Sequence, residues 1–243
     1  MTDRPPYRIL GDPDRAAGPF LFTCEHASNR TPGVTPSEPD AALLGDHWGW
    51  DIGAADVTEA LVALTDGVAV LSDFSRLLVD PNRPPDSPTL VVARCDGQDV
   101  SFNRGLDAAT VGARVARLHQ PYHAAIDATA RRRLARGPVR LVSVHSFTPV
   151  WQDAPRWMEI GVLFDDHEPG AERLVVALGL LGFAVARNAP YSGREGLMYA
   201  VDRHGRALGV PCVELEIRQD LVSTPERARA VAEQIARALP TFG

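Results

Sequence analysis

The stretch VPCVELEI at residues 210–217 is the strongest strand signal in the sequence. Apolar residues flank Glu214 and Glu216, and the helix-start signal Thr224-Pro225-Glu226 follows. Outward from this stretch, strand-length apolar runs alternate with segments of helical period, which is typical of an α/β layer fold. The pattern predicts a three-layer α/β/α architecture, and we expect one domain over residues 1–243.

The predicted elements cover most of the chain after a proline-rich loop in the thirties. Strands are predicted at 20–24, 68–71, 76–80, 139–144, 160–164, 183–187 and 210–217, and helices at 51–64, 108–136, 170–181, 197–207 and from Thr224 onward. The longest helical segment contains Pro121. Because proline removes a backbone donor, we expect it to kink or split that helix.

Composition and charge exclude several classes of protein. The chain has 243 residues, 45% of them hydrophobic and 23% charged, which is the range of globular proteins. The formal charge is −6, and the Arg131-Arg132-Arg133 run is better explained as a solvated helix face than as a phosphate-binding cluster. Nucleic-acid binding needs clustered cations, so we expect no nucleic-acid partner.

The sequence also predicts a soluble, cytoplasmic protein. Its longest apolar run, residues 174–186, is too short to span a bilayer, and residues 1–6 are too polar for a signal peptide. The three cysteines, Cys24, Cys95 and Cys212, are odd in number and far apart. They fit a reducing compartment better than a disulfide framework.

All 25 basic residues are arginines, because the sequence contains no lysine. Codon bias explains the missing lysines best. Whatever the cause, any anion that this protein binds through a side-chain cation must be held by guanidinium, whose planar fork suits carboxylates.

Ionisable residues stand at the ends of three predicted strands. His26 follows the first strand, His145 ends another, and Glu214 and Glu216 lie two apart on one strand face. Side chains at the carboxyl ends of strands converge in α/β sheets, and Asp51 at a helix start could reach the same rim. Two imidazoles and a carboxylate form a three-ligand zinc set, and a further carboxylate could act as base.

Each of these residues also has a purely structural interpretation. His26 could bond backbone carbonyls in a loop, Asp51 could be a helix N-cap, and His145 could be a core histidine bonded to Ser143 or Ser146. One of the two glutamates could pair with Arg218 or Arg187. Two acids on one face of a central strand are costly without cations, however, and this cost favours a metal.

His119 and His123 form a rival motif, because residues four apart on a helix can bind one metal ion. Position 120 is Gln, whereas a zincin has Glu as its base, and Pro121 lies between the histidines. We therefore interpret this segment as a kinked helix carrying two partly exposed histidines.

Two further segments could contact a substrate. In residues 75–83, Arg76, Asn82 and Arg83 flank a short predicted strand and could hold a carboxylate and a developing oxyanion, although Asp80 and Arg83 could equally form a local ion pair. Residues 188–196 could be a plain turn or a lid over a pocket.

Six segments in order resemble the N-formylglutamate amidohydrolases, a family similar to zinc carboxypeptidases and aspartoacylase. They are CEHASN at 24–29, WDIG at 50–53, residues 75–83, VHS at 144–146, residues 191–196 and ELEIRQD at 214–220. The resemblance covers about residues 20–221. It implies a phosphorylase/hydrolase-like, zinc carboxypeptidase-like α/β/α fold with a mixed central sheet.

The resemblance also implies roles for individual residues. The zinc ligands would be His26, His145 and a carboxylate, which we carry to Asp51 with Glu25 as the fallback, since Asn29 stands where carboxypeptidases have glutamate. Glu216 would be the general base, and Arg76 would polarise the scissile carbonyl or share the substrate carboxylate. The expected substrate-binding residues are Asn82, Arg83, Tyr191 and Arg194.

The expected activity is zinc-dependent removal of a formyl or small acyl group from an amino acid with a free carboxylate. Glu25 and Pro81 stand where the histidine-degradation members have proline and leucine, which suggests a sister subgroup with a different substrate. The alternatives are a zinc carboxypeptidase or deacylase acting on peptides or larger conjugates, and a catalytically inactive binding protein of the same fold. The sequence does not indicate an oligomeric state.

Overall fold

The structure, a computed structural model, describes residues 4–243. Its strands are β1 (Tyr7–Leu10), β2 (Phe20–Cys24), β3 (Val68–Ser72), β4 (Arg94–Cys95), β5 (Gln98–Asp99), β6 (Arg140–Phe147), β7 (Val150–Trp151), β8 (Ala154–Pro155), β9 (Ile160–Leu163), β10 (Val185–Arg187) and β11 (Cys212–Arg218). Its α-helices are α1 (Glu38–Gly45), α2 (Ala54–Thr65), α3 (Ala108–Arg114), α4 (Gln120–Leu134), α5 (Glu168–Leu180), α6 (Tyr199–Leu208) and α7 (Pro225–Ala238).

Seven of the strands form one mixed sheet in the order β1-β3-β2-β6-β11-β9-β10. The central block β3-β2-β6-β11 is parallel throughout. At its two sides, β1 runs antiparallel to β3, and β9 runs antiparallel to β11. The pairs β4–β5 and β7–β8 are separate short hairpins. The mixed α/β sheet expected from the resemblance is therefore confirmed.

Helices cover both faces of this sheet. On one face α2, α5 and α7 pack their apolar sides on Phe22, Val144 and Leu215. On the other face α4 and α6 pack on Leu21, Val70 and Leu141. Burial of these alternating residues on both sides explains why the central strands read as nearly continuous apolar runs. The predicted three-layer architecture is confirmed.

The predicted strand at 76–80 is wrong. The segment is a turn, closed by the Leu78 N–H donating to the Ser75 carbonyl at 3.0 Å. Leu77, Leu78 and Val79 are buried all the same, and a short buried apolar run has no periodicity that separates strand from turn.

The sequence prediction lacks the two short hairpins β4–β5 and β7–β8, and it also lacks the elements β1 and α1. The edge strand β1 has only four residues, and α1 lies in the segment that we expected to be a proline-rich loop. A helix signal was present there: the Ser37 hydroxyl accepts from the Asp40 N–H, and the Asp40 carboxylate accepts from the Ser37 N–H. This is a capping box with Asp at the third position.

The long helix is split close to Pro121, as predicted. Between α3 and α4 the chain forms a π-helical turn over Val115–His119, and α4 then begins at Gln120 with Pro121 in its first turn. The missing proline N–H is harmless at that position. His119 and His123 are both buried, with Nε2 of each facing a backbone carbonyl, so the expectation of partly exposed histidines is wrong.

Cys24, Cys95 and Cys212 are free and buried, in agreement with the absence of a disulfide framework. Across the described part of the chain, residues 4–243, none of the helices has the length and apolar character needed to cross a bilayer.

Candidate active site

Three neighbouring parallel strands deliver the site residues to one edge of the sheet. His26 follows β2, His145 lies in β6, and Glu214 and Glu216 lie in β11. The register places Glu216 beside His145. These side chains therefore converge at the carboxyl ends of the strands, where α/β sheets form their binding crevices.

Asp51 reaches this edge from the turn before α2. Its N–H donates to the His26 carbonyl at 2.9 Å, and its carboxylate accepts from the Ser146 N–H at 3.2 Å. The turn ends at Gly53, which is the N-cap of α2 with φ of +81°, and a Cβ there would lie 2.2 Å from the Val222 carbonyl oxygen. Asp51 is therefore not the helix cap, and its carboxylate is free to face the two histidines.

His26, Asp51 and His145 form a compact group. Each is buried, and one nitrogen or oxygen from each lies within 4.8 Å of the other two. Asp51 Oδ2 lies 3.4 Å from His26 Nδ1 and 2.8 Å from His145 Nδ1. The two Nδ1 atoms and one carboxylate oxygen thus surround one point, which is the donor set of a three-ligand zinc site.

The outer nitrogen of each imidazole faces a second carboxylate. His26 Nε2 lies 2.8 Å from Asp80 Oδ1, and His145 Nε2 lies 3.0 Å from Glu25 Oε2. Metal-binding histidines have this arrangement, because a carboxylate on the far nitrogen fixes the tautomer and strengthens the ligand. The residues present therefore fit a divalent metal ion.

Glu25 supports the site from behind. Besides His145, it accepts from the Ser143 hydroxyl at 2.6 Å and the Tyr122 hydroxyl at 3.1 Å. Burial alone would raise the pKa of Glu25. The contacts with His145 and Ser143 outweigh this effect and lower the pKa to about 2. Glu25 is thus an ionised partner of His145 and lies outside the group of His26, Asp51 and His145.

The charges in the site are strongly coupled. Burial works against ionisation at Asp51, yet the charges and hydrogen bonds of His26 and His145 lower its pKa well below the ordinary value. Burial likewise disfavours the His145 imidazolium, but Glu214, Asp51 and Glu25 together raise its pKa well above 6.5. The site is therefore rich in negative charge that a cation would neutralise.

Glu214 and Glu216 differ in their surroundings. Glu214 Oε2 lies 3.3 Å from the Asn82 amide nitrogen, and burial raises the pKa of Glu214 to about 7. Burial, together with the charges of Asp51 and Glu214, raises the pKa of Glu216 well above its ordinary value. Within residues 4–243, the buried Oε2 atom of Glu216 has no hydrogen-bond partner, although Glu216 lines the cavity. A buried orphan oxygen of this kind is suited to exchange a proton with a bound molecule.

Ion pairs with Arg218 or Arg187 do not explain the two glutamates. Arg218 binds Asp220 at 2.7 Å, and Arg187 binds Glu172 at 2.7 Å. Over the described residues neither arginine forms an ion pair with Glu214 or Glu216, so the interpretation of one glutamate as the partner of Arg218 or Arg187 is wrong.

The site opens into a cavity of about 310 Å³ whose wall contains three arginines. Arg76 binds Asp80 at 2.8 Å, and its Nη1 lies 3.1 Å from His26 Nδ1 and 3.6 Å from Asp51. Arg94 pairs with Asp99 at 3.2 Å. Over the described residues, Arg83 has no carboxylate within salt-bridge distance, because Asp80 is taken by Arg76 and His26. Arg83 is thus the cation of the cavity wall that remains for an anionic ligand.

The structure separates the other three substrate-binding candidates. Tyr191 lines the cavity. Asn82 also lines it, but its oxygen accepts from the Ala200 N–H at 2.9 Å and its nitrogen faces Glu214, so it is largely engaged within the protein. The expectation that Arg194 binds substrate is wrong. Arg194 lies in the short 3₁₀ turn Gly193–Glu195, pairs with Glu168 at 3.0 Å on the surface and is not part of the cavity wall.

His119 and His123, the buried histidines of the rejected motif, contact the backbone of the loop that carries Asn82 and Arg83. His119 Nε2 lies 2.9 Å from the Arg83 carbonyl, and His123 Nε2 lies 3.0 Å from the Pro81 carbonyl. Burial lowers the pKa of His123 to about 2, so its ring is neutral and its N–H points at Pro81. Behind it, His123 Nδ1 lies 2.8 Å from His204 Nε2. His119 and His123 thereby fix the backbone on both sides of Asn82.

Replacing His123 by phenylalanine should raise KM about tenfold while changing kcat less. The variant keeps the ring but leaves the Pro81 carbonyl unpaired, and a buried group that loses its partner costs about 1–3 kcal/mol. Steady-state kinetics measures the effect. His123→Gln, whose amide can replace the Nε2–H donor, should recover part of the loss. An unchanged KM in folded His123→Phe would show that the loop does not depend on this contact.

Comparison with known proteins agrees with the geometry. The family model described as N-formylglutamate amidohydrolase matches residues 18–223. The gene product Atu2144 of Agrobacterium tumefaciens has a similar structure, with a TM-score of 0.87 and 31% identity over 98% of this chain and 96% of that chain. An N-formylglutamate amidohydrolase from Ralstonia eutropha JMP134 has a TM-score of 0.73 and 22% identity over 97% and 96%. Comparison with proteins of curated function gave no match.

The matched range contains the metal-binding group of His26, Asp51 and His145, and it also contains Glu216. The protein is a hydrolase that acts on an amide. The chain belongs to the N-formylglutamate amidohydrolase family.

Sequence reasoning missed the parts of the site that pattern does not mark. Asp80 was considered only as an ion-pair partner of Arg83, and Trp48 and Trp151, both in the cavity wall, were not considered. Asp80 carried a usable signal, because it stands between two arginines in a segment already singled out. The tryptophans carried none, since Trp48 lies in a turn and Trp151 in a two-residue strand, both too short to show periodicity.

Proposed function

We propose that this protein is a zinc-dependent amidohydrolase that removes a formyl or small acyl group from an amino acid with a free carboxylate. The observation that carries the proposal is the meeting, in one cavity, of three features: the group of His26, Asp51 and His145, the unpartnered Glu216 carboxyl and the unpaired Arg83. These are respectively a metal site, a proton acceptor and an anion-binding cation.

Zinc would be held by His26, Asp51 and His145, where it would polarise the scissile carbonyl and make water more acidic. Arg83 binds the substrate carboxylate and so orients the amide toward the metal-binding group. Arg76, fixed through Asp80, turns its Nη1 toward Asp51 and supports the developing oxyanion.

Glu216 moves the proton. Its Oε2 takes a proton from the attacking water and then delivers it to the leaving amine nitrogen. Its position supports this role, because the carboxyl is buried, faces the cavity and has no competing partner within the described residues. Glu214 is less suited, since Asn82 and His145 occupy its oxygen.

The size of the cavity favours a small substrate over a peptide. At about 310 Å³ it stands at the lower end of the range for pockets that enclose small molecules, which is roughly 300–1,000 Å³. A carboxypeptidase or deacylase acting on larger conjugates would need an open groove instead.

The test is a panel of N-formyl and N-acetyl amino acids incubated with zinc-loaded protein, with formate and acetate measured by an enzyme-coupled assay. Release of formate or acetate from members with a free carboxylate, and not from their methyl esters, is the expected result. No release from any member would contradict the proposal and would favour peptides as the substrates.

Replacing Arg83 by glutamine should raise KM about 10- to 100-fold. A hydrogen bond to a charged group contributes about 1.5–3 kcal/mol, and the variant loses the charge that binds the carboxylate. Arg94→Gln is the matched control, since it removes a cation that already pairs with Asp99 and should change KM far less. Equal effects of the two substitutions would contradict the role of Arg83.

A further inference from the structure

We propose that the amino acid released by this enzyme has a large apolar, preferably aromatic, side chain rather than an acidic one. The inference rests on the proposed function and specifies the substrate class of the same site. It is carried by two features of the cavity wall: a cluster of aromatic rings on one side and a shortage of unpaired cations on the other.

The aromatic side of the wall contains Trp48, Phe147, Trp151 and Tyr191. The rings of Trp48 and Trp151 are 6.0 Å apart, and His47 lies 4.5 Å from Trp48 and 6.5 Å from Trp151. Spacings of 4.5–7 Å are those at which aromatic groups attract one another, so Trp48, Trp151 and His47 form one continuous surface.

These rings come from separate segments and are not part of the main core. Trp48 follows α1, Trp151 lies in the β7–β8 hairpin, and Tyr191 lies in the loop after β10. Trp151 is 40% exposed and Tyr191 38% exposed, although both are large rings. Apolar surface that several segments present together toward a cavity is typical of a ligand-binding wall.

Arg156 connects Phe147 and Tyr191 to Trp151, and it is not itself among the residues that line the cavity. Its guanidinium lies 5.3 Å from the Phe147 ring, 5.4 Å from Trp151 and 5.7 Å from Tyr191. Its Nη1 donates to the carbonyl and hydroxyl oxygens of Thr148, each at 3.2 Å. Cation–π contacts of this kind fix the orientation of rings.

The charges of the wall can match one substrate carboxylate but not two. Arg76 and Arg94 are paired with Asp80 and Asp99, which leaves Arg83 for the α-carboxylate. A glutamate side chain would bring a second negative charge beside aromatic rings, close to the buried carboxylates of Glu214 and Glu216. Removing a charge from water without a partner is costly, whereas burying a large apolar side chain is favourable.

The experiment compares kcat/KM of the zinc-loaded enzyme for N-formylphenylalanine, N-formylleucine, N-formylglutamine and N-formylglutamate. We expect phenylalanine to exceed glutamate at least about tenfold, which is the usual discrimination from one apolar group. Glutamine, which has the shape of glutamate without the charge, should lie between them. A higher kcat/KM for glutamate than for phenylalanine would overturn the inference while leaving the proposed function intact.

Trp151→Ala connects the preference to the wall. The variant should lower kcat/KM for N-formylphenylalanine several times more than for N-formylglycine, which has no side chain to contact the rings. Because Trp151 is 40% exposed, the fold should survive the change, and circular dichroism checks this. Equal losses on both substrates would overturn the role of the rings. Absence of turnover on every N-formyl amino acid would instead contradict the proposed function itself.

Discussion

Replacing Glu216 by glutamine is expected to lower kcat at least about 10²-fold and to leave the zinc content at one ion per chain. Positioned general bases contribute roughly 10²- to 10⁴-fold to rate, and glutamine keeps the size of the side chain but cannot accept the proton. The zinc content is expected to persist because the metal-binding group consists of His26, Asp51 and His145. Steady-state kinetics and metal analysis of the same preparation measure both quantities.

Glu214→Gln is the matched control, since it makes the same chemical change two residues away on the same strand face. Its carboxylate is held by Asn82 at 3.3 Å and lies 3.5 Å from His145 Nε2, so it supports the site and should cost much less in kcat. Near-normal turnover by Glu216→Gln, or a larger loss of kcat in Glu214→Gln, would contradict the assignment of proton transfer to Glu216.

Replacing Asp51 by alanine is the second change with a large expected effect. It should abolish turnover and reduce the bound zinc to well below one equivalent after dialysis. Asp51 Oδ2 faces the Nδ1 atoms of both histidines, and the loss of a direct ligand exceeds the 10- to 100-fold loss of affinity that follows removal of an outer partner.

Glu25→Gln decides the alternative that the sequence left open. Glu25 contacts the outer nitrogen of His145, so its variant should bind zinc about 10- to 100-fold more weakly yet still reach one equivalent at sufficient zinc. Isothermal titration calorimetry on chelator-treated protein compares the two. If Glu25→Gln no longer binds zinc and Asp51→Ala still does, the carboxylate ligand is Glu25.

Much of the sheet could be predicted from the sequence because its central strands are buried on both faces. Strands such as β6 and β11 therefore stand out as apolar runs, and the two glutamates that interrupt β11 stand out equally. The short edge strand β1 could not be predicted, since three of its four residues are only partly buried and Ile9 is exposed. The buried turn at 76–80 shows the converse failure, in which burial without periodicity suggests a strand.

The site was predictable to the extent that its residues follow strands. His26 and His145 could be expected to meet because parallel strand ends share one edge. Distances decide what spacing cannot: Asp51 comes from a turn, Glu25 faces the far nitrogen of His145, and Arg194 points outward. The support of the Asn82 loop by His119 and His123 also depends on packing between segments that are distant in the chain.

The central claim is that metal at the group of His26, Asp51 and His145 is required for hydrolysis of an N-acyl amino acid. The most direct measurement is the rate of formate release from an N-formyl amino acid by chelator-treated protein as zinc is returned. The rate is expected to be near zero without zinc and to rise in proportion to added zinc up to one equivalent per chain. Full activity in the chelated, metal-free protein would contradict the claim.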